Sequence, residues 1–285
     1  MNELKDIAVD IKNVIHQRQK EMELSFVEDT HTYYIRGLDG EITSSLPSVS
    51  KVLKAFYHPF VPENTKAFKD CLGDPVREKA LLKEWSDKGD YSTNMGSRVH
   101  YILEQELVER YGNYKSVRKP IFECDQVQIE TGDAMIKAGK EFIDLMHKRG
   151  AVLIDTETVL GSAELGFTGQ PDKLWLMMGK DKLPGLVVTD WKSNQPKNFE
   201  VHSFTKLMKP PFEKYWDTAL SHYYIQLPLY AKLVLKMLEG TKYGNIKFLG
   251  GVVVLLRKEE FFEEHKIPQD VVNTVLKMNV KKYLK

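Results

Sequence analysis

Gly185-Leu186-Val187-Val188-Thr189-Asp190-Trp191-Lys192 is an apolar run that ends on a carboxylate and an ammonium two positions apart. Side chains at i and i+2 of a strand point to one face, so Asp190 and Lys192 are expected side by side at the strand end. An Asp-x-Lys in such a place also makes an ordinary solvated ion pair of little energetic consequence, and the neighbouring segments have to decide between the two.

Upstream, residues 151 to 160 and 169 to 178 read as two further strands, and two helices are expected before them. One spans about 93 to 111, its start marked by Thr93, Asn94 and Gly96, with Val99, Leu103 and Leu107 on one stripe. The other spans about 125 to 149 and stops at Gly150. Downstream, residues 217 to 239 form a long apolar-periodic helix ending at Gly240, and 248 to 257 a buried strand. The order α, α, β, β, β, α, β implies one α/β domain with a mixed sheet.

Ahead of this core (93–257), residues 1 to 92 carry a hairpin over 24 to 46 with its turn at Asp39-Gly40, and a short helix capped by Ser48. Residues 57 to 92, broken by prolines and glycines, read as a helical elaboration. Residues 258 to 285 read as a C-terminal helix and basic tail with Lys277, Lys281, Lys282 and Lys285.

At 285 residues and 42% hydrophobic content, the chain can bury a core unaided. The net charge of +1 means that any nucleic-acid binding must come from a local basic surface. Cys71 and Cys124 fit neither a disulfide framework nor an iron-sulfur or zinc site. The N-terminus lacks the apolar segment of a secretory signal, no stretch is long and apolar enough for a membrane span, and no Walker A pattern predicts ATP use. A cytoplasmic protein with no membrane partner is expected.

Several residues could carry chemistry around Asp190 and Lys192. Asp172 follows the turn-like Gly169-Gln170-Pro171 and offers a second hard oxygen, with the Trp191 carbonyl as a third, a set suited to Mg²⁺ or Mn²⁺. Asp172 could equally be a turn cap. Lys192 would orient a water or stabilise charge on a phosphate. His100 can ligate a metal or touch a phosphate, and Glu104 lies one turn on along the same helix face; a surface His-Glu pair is the simpler alternative. Glu157 is a supporting candidate on the preceding strand. Gln226 and Tyr230 share a helix face and can donate hydrogen bonds. Lys197, Lys206, Lys209 and Lys214, interleaved with Phe199, Phe204, Phe212, Tyr215 and Trp216, suit a single strand of DNA, although a solvated loop packed by aromatics explains them nearly as well.

The ordered motifs Gly-x-x-x-His (96 to 100), Gly-x-x-Asp (169 to 172), Asp-x-Lys (190 to 192) and Gln-x-x-x-Tyr (226 to 230) resemble the RecB-like branch of the PD-(D/E)XK nuclease superfamily. The segments around 46 to 53, 208 to 212 and 224 to 227 are similar to phage-encoded exonucleases and to the mitochondrial genome maintenance exonuclease. The resemblance covers roughly residues 24 to 257. It implies a restriction-endonuclease-like mixed β-sheet flanked by helices, with core order α-β-β-β-α-β. It also implies Mg²⁺- or Mn²⁺-dependent cleavage of DNA, more often from single-stranded ends, in phage replication, recombination or repair. By motif position, His100, Asp172 and Asp190 fall at the metal, Lys192 at the water, and Gln226 and Tyr230 in support. Relatives with an iron-sulfur cluster carry four cysteines, which this chain lacks. A recombinase or single-strand-binding protein is an expected partner. A structure-specific endonuclease and a non-catalytic DNA-binding scaffold are the alternatives.

Overall fold

The computed structural model describes residues 2–27, 30, 32–44, 46–112, 122–203 and 205–284. Its helices are α1 (Asn2–Glu21), α2 (Val49–Leu53), α3 (Lys66–Lys69), α4 (Pro75–Tyr111), α5 (Gln126–Lys148), α6 (Ala219–Leu238) and α7 (Gln269–Lys277). Its strands are β1 (Ser25–Val27), β2 (Thr32–Arg36), β3 (Ile42–Ser44), β4 (Val152–Thr156), β5 (Leu160–Ser162), β6 (Phe167–Gly169), β7 (Lys173–Met178), β8 (Pro184–Lys192), β9 (Lys247–Leu256) and β10 (Phe262–Lys266). The main sheet has five strands in the order β10-β9-β8-β7-β4, with β8 and β9 parallel and the other neighbours antiparallel.

Helices cover both faces of this sheet, so its central strands are apolar on both sides. Leu174, Leu176, Leu186 and Val188 point to the face packed by α1 and α6. Leu153, Trp175, Val187 and Trp191 point to the face packed by α4 and α5. Asp190 and Lys192 follow the parity of Leu186 and Val188, which aims them at α6, while Trp191 is aimed at α4.

The expected strands 151–160 and 169–178 are each interrupted. β4 pairs with β7 in the main sheet, while their extensions β5 and β6 pair separately as a two-stranded sheet. The breaks fall at residues 157–159 and 170–172, so Glu157 and Asp172 both sit where one hairpin leaves the sheet. Glu157 is at φ 46, a left-handed conformation that costs a non-glycine residue on the order of 1 kcal/mol or more. The Glu157 N–H donates to the Asp172 carbonyl (3.0 Å), and Gln170 Nε2 donates to the Glu157 carbonyl (2.9 Å), which together hold the break.

Two expected boundaries are corrected. The helix expected to begin at Thr93 begins at Pro75 and crosses the 92/93 division. Asp74 caps it by accepting from the Val76 and Arg77 N–H groups (both 3.2 Å), and Pro75 sits at the first position, where its missing N–H costs nothing. Pairs spaced i to i+4, Lys83–Asp87 and Glu84–Lys88, line its exposed first half. The segment after residue 257 is not simply helix and tail: β10 returns antiparallel along β9, and only then does α7 pack on α6, with Val271 and Val275 in the shared core. Lys285 lies outside the described residues.

The N-terminal segment, expected only to lack a signal sequence, forms α1. Leu4, Ala8, Ile11 and Ile15 are buried at helical spacing, and each isoleucine contributes about 1.5–3 kcal/mol by its burial. Asp155 on β4 ties α1 down through Lys12 Nζ (3.3 Å) and His16 Nε2 (2.9 Å). Elsewhere the expectations match: β1, β2 and β3 form an antiparallel sheet over the 24–46 hairpin region, and Ser48 caps α2. Gly150 and Gly240 follow α5 and α6 at φ 77 and 75. Among the described residues no helix is long and apolar enough to cross a membrane.

Gly169 is where the β6 backbone meets α2 and α6. A Cβ there would lie 2.7 Å from Tyr230 Cε1 and 2.8 Å from Val49 Cγ2. Gly169→Ala should therefore cost about 1–3 kcal/mol in urea unfolding. An unchanged midpoint would contradict this close approach.

Candidate metal and phosphodiester site

The C-terminal ends of β7's partner strands and the broken hairpin bring the acids together. Asp172 is buried, and its Oδ2 accepts from the Trp191 N–H (2.9 Å), lies 3.3 Å from His100 Nδ1 and 3.5 Å from Lys173 Nζ. Ligand atoms of His100, Glu157 and Asp172 lie within 4.8 Å of one another. Asp190 is buried close enough to Asp172 for each carboxyl to shift the acidity of the other, and Lys192 Nζ is 2.6 Å from Asp190 Oδ2. A strand residue's N–H and C=O point to the same edge, so the Trp191 carbonyl is on the Asp172 side of β8.

Glu157, expected only in support, is thus a member of the cluster beside His100 and Asp172. Glu104 is buried on α4 but is not one of the three clustered residues. Two carboxylates and an imidazole within this distance form a donor set suited to a hard divalent cation, with Asp190 adjoining it.

Burying two carboxyl groups side by side separates their acidities. Burial works against ionising Asp172, but Lys173, His100 and Lys192 outweigh it and hold its carboxyl well below the usual carboxylate range. Burial and then the Asp172 charge push Asp190 up to about 7, against the opposing pull of Lys192. The pair therefore retains one proton near neutral pH. Burial also disfavours the Lys192 ammonium, yet Asp190, Tyr223 and Asp172 raise its pKa, so Lys192 acts as a cation and not as a base.

Gln226 Nε2 donates to the Tyr230 hydroxyl (2.7 Å), joining the two residues predicted to share a face of α6. Burial, then Asp190, raises the Tyr230 pKa and keeps its phenol neutral.

Three contributors were missed in the sequence. Lys173 is almost fully buried, with Nζ 3.2 Å from the centre of the Trp191 ring, a desolvated cation–π contact on the order of 2 kcal/mol. The signal was a lysine at an inward strand position, two before Trp175. Lys192 Nζ lies 4.5 Å from the centre of the Tyr223 ring, and the Tyr223 hydroxyl donates to Asn194 Oδ1 (3.0 Å). Tyr223 precedes Gln226 by three residues and Tyr230 by seven, a helical stripe that was legible.

The basic and aromatic connection is less open than expected. Phe212 is buried against Phe56 (ring centres 5.1 Å), Phe199 packs on Tyr223, and the Tyr215 hydroxyl donates to Asp270 (2.7 Å). Lys214 is ion-paired with Asp270. Trp216 is exposed, and Phe204 lies outside the described residues. A cleft of about 1060 Å³ opens instead on His100, Lys192 and Asn194, and of the four predicted lysines only Lys197 lines it; Lys206, Lys209 and Lys214 do not.

The fold and site define an α/β protein whose mixed sheet ends in buried acids, a histidine and two lysines. Family models compared with the chain give no match, and curated proteins give no significant one.

Asp190 sets a pH dependence. Its carboxyl keeps a proton up to about 7 in the folded chain but ionises near 3.8 when free. The folded state holds the extra proton between these values, so the group's contribution is fully present below about pH 4 and is lost as pH rises through about 7. Asp190→Asn, which cannot ionise, should gain stability relative to the parent over that window, on the order of a few kcal/mol. Denaturant titrations from pH 4 to 8 that show a constant difference would refute the shared proton.

Proposed function

We propose that this chain is a metal-dependent deoxyribonuclease of the RecB-like PD-(D/E)XK kind, with a restriction-endonuclease-like core, acting as an exonuclease on single-stranded DNA ends in replication, recombination or repair. The observation that carries this reading is the convergence of His100, Glu157 and Asp172 beside the Asp190–Lys192 pair, at a cleft open to solvent.

His100, Glu157, Asp172 and Asp190 would hold Mg²⁺ or Mn²⁺, with the Trp191 carbonyl beside them. When bound, the ion supplies charge neutralisation at the phosphate and acidifies water. Lys173 keeps the Asp172 carboxyl ionised and ready to bind a cation. The Asp172–Asp190 pair keeps a proton up to about pH 7, and both carboxylates would have to be ionised to hold a cation. Lys192 stays an ammonium, held by Asp190 and the Tyr223 ring, and its charge can stabilise negative charge developing on phosphate oxygens. Gln226 fixes the Tyr230 hydroxyl on the α6 side, near enough to Asp190 for that carboxylate to raise the phenol pKa.

End-labelled single-stranded DNA incubated with the full chain and Mg²⁺ or Mn²⁺ should be degraded, EDTA should stop it, and a circular single strand should survive. Lys192→Ala should lower kcat by about 10²–10³-fold at a temperature where its circular-dichroism spectrum still matches that of the parent. Undiminished cleavage by that variant would overturn the site, and cutting of the circle would overturn the exonuclease assignment.

A further inference from the structure

The cleft that reaches His100 and Lys192 has two unlike walls. One, from α4 and α5, presents Tyr91, Ser92, Thr93, Ser97 and Thr131. The other consists of the loop after β8, with Asn194 and Lys197, and the turn between β9 and β10, with Arg257 and Lys258. The positive groups on this second wall are far apart in sequence and meet only because β9 lies parallel to β8.

Their charges are only partly satisfied. Lys197 and Lys258 are exposed and make no ion pair among the described residues. Arg257 is drawn to Glu263 (3.3 Å) and more weakly to Glu259 (3.8 Å), while its Nη1 is buried with no hydrogen-bond partner among the described residues. Glu259 is the one acidic side chain among the described residues that line this wall. Across the cleft, Tyr91 is 42% exposed, and its hydroxyl reaches Asp125 Oδ1 (3.4 Å), which restrains the ring. The cleft, about 1060 Å³, slightly exceeds the roughly 300–1,000 Å³ typical of small-molecule pockets, so it has room for a chain-like ligand.

We infer that this cleft is the track of a single nucleic-acid strand, with Lys197, Arg257 and Lys258 on its phosphates and Tyr91 stacked on a base. A single strand offers phosphates along one side and open base faces along the other, matching a basic wall opposite an aromatic and hydroxyl-bearing one. A duplex keeps its base faces stacked and leaves Tyr91 no partner. The phosphate anchors thus lie on the loop after β8 and at the β9–β10 turn, and the 206–214 segment contributes none of them. The inference deepens the nuclease reading and rests on it for the identity of the site that the track feeds.

Binding is tested apart from cleavage, by fluorescence anisotropy of a labelled oligothymidylate with the full chain in EDTA. Lys197→Ala/Lys258→Ala should raise Kd about tenfold near 0.1 M salt and make the salt dependence of log K shallower by about 1.4, two contacts at roughly 0.7 each. Tyr91→Ala should raise Kd about tenfold as well. Lys206→Ala/Lys214→Ala should leave Kd unchanged, and a blunt duplex should compete poorly. Absence of binding, equal competition by duplex, or an effect confined to the Lys206/Lys214 pair would overturn the track. Cleft-dependent binding without cleavage in Mg²⁺ or Mn²⁺ would uphold the track and defeat the nuclease reading. Cleavage indifferent to the cleft variants would do the reverse.

Discussion

Asp172 and Asp190 are buried against each other, and two like charges cannot both be ionised there without compensation. The surrounding structure supplies it. Lys173, itself buried, faces Asp172 from beneath the Trp191 ring, and Lys192 faces Asp190 from beside the Tyr223 ring. Each lysine sits against an aromatic face, which offsets part of the cost of removing an ammonium from water. The Trp191 N–H and His100 complete the shell of Asp172. Proton retention by one acid is what the remaining imbalance produces.

This arrangement depends on the sheet having two covered faces. Lys173 and Trp191 belong to the α4 side, and Asp190 and Lys192 to the α6 side, and the Asp172 carboxyl at the strand end is where the two sets of groups meet. Asp172 reaches that place because the hairpin breaks before β7. The left-handed Glu157 is part of the same break, and its strain accompanies its arrival beside His100 and Asp172. Close backbone approaches at Gly169 and Gly96, where a Cβ would meet Tyr230 and Ser193, bring α6 and α4 against these strand ends.

Local chemistry was the most legible part of the chain. The period of a strand placed Asp190 and Lys192 on one face, and the period of a helix joined Gln226 to Tyr230, as their hydrogen bond shows. Caps and glycines marked the ends of α2, α5 and α6. The same local signals misled where a motif has two uses: Thr93 and Asn94 are good cap residues, yet Asp74 and Pro75 had already started that helix, and neither is needed as a cap within it.

By itself, then, the sequence determined the order of helices and strands from 93 to 257, apart from the strand breaks, and the direction of each side chain relative to its own element, because both follow from short-range periodicity and backbone sterics. Only the tertiary structure decided that one hairpin breaks at both Glu157 and Asp172, that Lys173 is buried under Trp191, and that Arg257 and Lys258 face the cleft in place of Lys206 and Lys214. Those placements depend on strand pairing and helix packing between distant segments, and spacing along the chain carries no measure of that distance.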